Sequence, residues 1–63
     1  MEYDVRAYDR DGGLNQDYAA TFRDEDEATR YCDIAVRNRE IFSAVVLAFA
    51  PDGALVETYS AVK

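Results

Sequence analysis

Chemistry needs groups that attack, carry protons or hold a metal, and this chain supplies few of them. It has thirteen Asp and Glu, five Tyr, one Cys and no His. Without His, neither a His/Cys metal site nor a Cys–His pair can be assembled, and a single Cys excludes an intrachain disulfide. Cys32 falls on the apolar stripe of a predicted helix, where a thiol serves as a small core residue. Paired carboxylates can do acid–base work, but 63 residues leave little room for a pocket to hold them. The stretch from Asp9 to Asp17 suggests a calcium loop. An EF-hand loop needs oxygen ligands at positions 1, 3 and 5 and Gly at position 6. Here those last two positions are Gly13 and Leu14, so the pattern fails. Tyr8, Tyr18, Tyr31 and Tyr59 fall on positions expected to face the core, and only Tyr3 falls on the opposite face. The expectation is a non-enzymatic protein with no metal and no cofactor.

The elements that position these residues show themselves first as a repeat. Offset by 41, residues 5–20 lie over residues 46–61. The identities are Val5/Val46, Ala7/Ala48, Asp11/Asp52, Gly12/Gly53, Leu14/Leu55, Tyr18/Tyr59 and Ala20/Ala61. Each copy reads as a hairpin. In Ala50-Pro51-Asp52-Gly53, Pro suits the second position of a type I turn and Gly the left-handed position that follows. Arg10-Asp11-Gly12 can make the same turn. The register this implies pairs Phe49 with Leu55, Leu47 with Glu57 and Val45 with Tyr59. It also sets Tyr8 opposite Leu14, on one side with Tyr18, Ala20 and Phe22, and that side is read as the core face.

A helix lies between the hairpins. Asp24 as N-cap with Glu27 three residues on resembles a capping box, and Arg37 and Arg39 fall near the predicted end. Asp26/Arg30 and Asp33/Arg37 are spaced for i,i+4 pairs. Ala28, Tyr31, Cys32 and Ala35 form the apolar stripe with Ile34 on its flank, over a helix of about Glu25 to Asn38.

The order ββαββ defines one α+β domain over 1–63. The apolar strand from Ser43 to Ala50 reads as central, which gives a four-stranded antiparallel sheet of order 2-1-3-4. The two hairpins are then related by a pseudo-twofold, with one helix on one face. The second face carries Tyr3, Val5, Ala7, Ala44, Val46, Ala48 and Val56. Uncovered, it would be a contiguous apolar patch, and the expectation is a homodimer packed sheet to sheet.

Charge decides the class of partner. Thirteen acids against seven bases give a net charge of −6, which disfavours nucleic acid and anionic membranes. No apolar run approaches the roughly 20 residues of a membrane span, and residues 1–4 do not begin a signal peptide, so a cytoplasmic location is expected. Asp9, Asp11, Asp17, Asp24, Glu25, Asp26, Glu27 and Asp33 are read as one acidic surface. Carboxylates spaced along such a surface can imitate phosphates to a basic, nucleic-acid-handling partner. In size and charge the chain resembles the small acidic inhibitors of host defence made by phages and mobile elements, anti-CRISPR proteins among them. That resemblance implies a blocking function and carries no residue correspondence. A self-associating module acting through the Val/Ala face is the alternative.

Overall fold

A computed structural model describes residues 2–63. Strand β1 (Tyr3–Asp9) leads through a 3₁₀ turn (Gln16–Tyr18) to β2 (Ala20–Phe22). Helix α1 (Glu25–Val36) follows, then β3 (Ile41–Phe49) and β4 (Leu55–Val62). The sheet is antiparallel with the order β2-β1-β3-β4. This is the topology read from the sequence.

The repeat is written into the register. Val5 pairs with Val46, Ala7 with Ala44 and Tyr3 with Ala48. The repeat-equivalent residues Val5 and Val46 therefore face each other where the pseudo-twofold crosses the sheet. The two turns match bond for bond. Gly12 donates to the Asp9 carbonyl at 3.0 Å and Gly53 to the Ala50 carbonyl at 2.9 Å. Asp11 and Asp52 each accept from the backbone N–H two residues on, both at 3.0 Å. Both glycines have φ +88°, the left-handed value that a three-residue hairpin loop demands.

The helix covers the face that was expected to be open. Val5, Ala7, Ala44 and Val46 are buried against Ala28, Cys32 and Ala35, with Ile41 beside them. Ala48 is also buried and Tyr3 packs against the cluster. Two irregularities caused the inversion. In β4 the register shifts at Thr58, so Tyr59 pairs with Val46 instead of Val45 and turns to the helix side. In the first hairpin the 3₁₀ turn does the same for Tyr18, Ala20 and Phe22, while Tyr8 and Leu14 stay paired on the other face. Val56 lies on the helix-side face but at its margin, 51% exposed.

Side-chain size explains why this arrangement packs. The helix stripe is Ala28, Cys32 and Ala35, and the strands beneath offer Val and Ala, so the backbones approach closely. The aromatics ring this small centre. Phe22 and Tyr31 meet with ring centroids 5.3 Å apart. The Tyr31 hydroxyl donates to the Tyr18 carbonyl at 3.1 Å, and Tyr59 donates to Asp33 Oδ1 at 2.6 Å. α1 ends at Val36, two residues before the predicted end, and Arg37 and Asn38 close it with turn bonds to Ile34 and Ala35. Asp24 is the N-cap by position, yet its side chain makes no capping bond.

Candidate functional site

The fold divides the acids between two ends. α1 starts where Phe22 pairs with Tyr3 and ends where β3 begins opposite Asp9. Asp24, Glu25, Asp26 and Glu27 therefore stand at one end of the molecule, all exposed. Glu2, bonded through its carbonyl to Phe49 N–H, and the second hairpin tip with Asp52 share that end. Asp9 and Asp11 stand at the other end, where a cleft of about 410 Å³ brings them together with Arg10, Asn15, Arg39 and Glu40. The single surface of eight acids expected from the sequence is therefore not assembled.

The remaining acids have local partners or positions. Asp9 accepts from Asn15 Nδ2 at 2.9 Å, and Asp11 is held in its turn by Gly13 N–H. Asp17 sits in the 3₁₀ turn, its N–H bonded to Asn15 Oδ1 at 3.0 Å. Asp33 is half-buried and engaged by Tyr59. That leaves the first turn of α1 as the acidic feature with the most open geometry. Arg23 is its nearest cation in sequence, and the partial positive charge of the helix start offsets part of its field. The sequence read Asp24–Glu27 correctly as a cluster. It missed Glu2 and Asp52, which only the topology brings to that end.

The face opposite the helix is the open one. Tyr8, Val45 and Leu47 are half-buried there, and Phe49 and Leu55 are 38% and 40% exposed. Asp4, Arg6 and Glu57 interrupt these apolar residues. The expected dimer face of Val and Ala is thus core. Of the bulky residues assigned to the core, Tyr18, Phe22, Tyr31 and Tyr59 pack against it, while Tyr8, Leu14, Val45, Leu47, Phe49 and Leu55 lie on the open side. A small groove at its β2 margin is lined by Asp4, Arg6, Leu14 and Thr21 among others.

Cys32 is fully buried under the sheet. Burial first, and the neighbouring Asp33 second, push its thiol up from 9.0 to about 11. It is protonated and shielded at neutral pH, the opposite of an activated nucleophile. The Tyr59 phenol is also raised, chiefly because its proton is held in the bond to Asp33. Among the described residues no group of three or more His, Cys, Asp or Glu is placed to hold a metal ion. Among them, too, no helix is long and apolar enough to cross a membrane. Comparison with protein-family models, with curated proteins and with solved structures found no match.

Proposed function

We propose that the protein is a small, non-enzymatic binding module that docks its acidic end on a basic, nucleic-acid-handling protein and blocks it. The observation that carries this reading is the exposed run Asp24–Glu27 at the start of α1, at the same end as Glu2 and Asp52. A row of carboxylates on a rigid helix turn presents negative charge at a spacing that arginines evolved for phosphate can accept. The net charge of −6 extends the attraction and speeds encounter. This reading narrows the surface to one end and drops Asp9, Asp11, Asp17 and Asp33 from it. Inhibitors of host defence carried by phages or mobile elements act in this general way, and the cytoplasm is the compartment it implies.

The test compares the wild-type chain with a Glu25→Lys/Asp26→Lys variant as bait in host lysate. A nucleic-acid-handling protein captured by the first and lost by the second supports the reading, provided the bait also displaces DNA or RNA from it. Capture that survives both the reversal and 300 mM salt overturns it.

A further inference from the structure

The two edges of the sheet are unequally protected. β2 has three residues behind a 3₁₀ turn and offers little backbone to another strand. β4 has eight residues, Leu55–Val62, mostly exposed, with no Pro, no Lys and Glu57 as its single charge. Such an edge is a template for strand addition.

The hydrogen bonds show which groups it offers. Phe49 N–H donates to the Glu2 carbonyl, away from β4. Leu55, paired with Phe49, therefore turns its own N–H and C=O outward, and by alternation so does Glu57. Past the shift at Thr58, Lys63 N–H donates inward to the Phe42 carbonyl at 3.0 Å. Ala61 shares that inward phase, which leaves Ser60 and Val62 pointing outward. All four outward residues lie on the open face of the sheet.

The shift at Thr58 selects a register. A second β4, antiparallel, keeps all four outward residues in phase only if the twofold falls between Thr58 and Tyr59. Leu55 then lies opposite Val62 of the second copy, and Glu57 opposite its Ser60. Apolar meets apolar, and a carboxylate meets a hydroxyl. Centring the pair on Glu57 would set two carboxylates face to face. The selected register also puts the acidic end of one copy beside the mixed-charge end of the other. We propose that two copies join in this way, forming one eight-stranded sheet with both helices on the same face. This goes beyond the docking of the acidic end and does not depend on it.

Strand pairing alone falls below the ~1,200 Å² of a standard interface, so dissociation on the order of 100 µM is expected. Sedimentation equilibrium from 10 µM to 1 mM should show the mass rising from 7.1 kDa toward twice that value. The amides of Leu55, Glu57, Ser60 and Val62 should exchange more slowly as concentration rises. Added salt should tighten the dimer, because both copies carry −6. Ser60→Glu should weaken association about tenfold and Ser60→Lys should strengthen it. Thr21→Glu and Thr21→Lys, which change net charge equally at the far edge, should do much less. The double variant Glu57→Lys/Ser60→Glu restores the pair and should dimerise like wild type, and if Ser60→Glu folds poorly the strengthening by Ser60→Lys carries the test. A monomer up to 1 mM, unchanged β4 exchange, or equal effects at Ser60 and Thr21 would overturn the proposal.

Discussion

At the scale of single residues, the matched turns make a controlled pair of experiments. Gly12 and Gly53 share φ +88°, and a Cβ added at either would meet nothing within 4 Å. The cost of Ala there is then backbone strain alone, and each substitution should lower stability by about 1 kcal/mol in urea unfolding. Cys32 sets a pH dependence whose sign follows from its raised value. The folded chain holds the thiol proton more tightly than the unfolded chain, so this contribution is complete below pH 9. It is lost as pH climbs from 9.0 to about 11. Tyr59 acts in the same direction above its ordinary value of 10.0. Cys32→Ala should flatten the fall in urea midpoint between pH 9 and 11, leaving the loss above pH 10 that belongs to Tyr59. A slope unchanged by the substitution would assign the alkaline loss elsewhere.

Among the elements, the helix and the central strand carry different risks. Since the Asp24 side chain makes no capping bond, Asp24→Ala should cost only a few tenths of a kcal/mol, against about 1 for a working cap. Calorimetric Tm values of the two proteins would check this. The close seat of α1 on the sheet works the other way. Ala28 is 0% exposed in the core cluster, and Ala28→Leu should overpack the seat by about 1–3 kcal/mol. β3 is paired on both sides, so its amides from Ala44 to Leu47 should exchange only on global unfolding. The open edge β4 should exchange faster in dilute solution.

For the whole molecule, charge and backbone make opposite demands on salt. The proposed docking through Asp24–Glu27 should weaken as salt screens the field, on the order of tenfold or more between 50 and 300 mM if several ion pairs form. The proposed pairing of two like-charged copies through β4 should strengthen over the same range. One titration of salt, reading partner binding and self-association together, separates the two behaviours. Reversing Glu25 and Asp26 should slow association with the partner while leaving the dimer's register untouched, because those residues lie off β4.

Local chemistry made much of this protein legible in one dimension. Asp11-Gly12 and Asp52-Gly53 dictate their turns, the offset of 41 dictates two like hairpins, and the spacing of Ala28, Cys32 and Ala35 dictates the buried side of the helix. Strand order followed, since an apolar strand flanked by hairpins has few other places to go. Which face of the sheet the helix covers was beyond that reasoning. In a strand, a single extra residue exchanges the two faces, and Thr58 and the turn at Gln16–Tyr18 each introduce such a shift without a sequence signal. In β1 and β3, large residues looked like core and small ones like surface. The small helix stripe decided otherwise, because Ala and Cys reach van der Waals contact only with a sheet surface as shallow as Val and Ala provide. The placement of charge was hidden for a related reason: Glu2, Asp24 and Asp52 are distant in the chain, and only the path of the helix across the sheet brings them to one end.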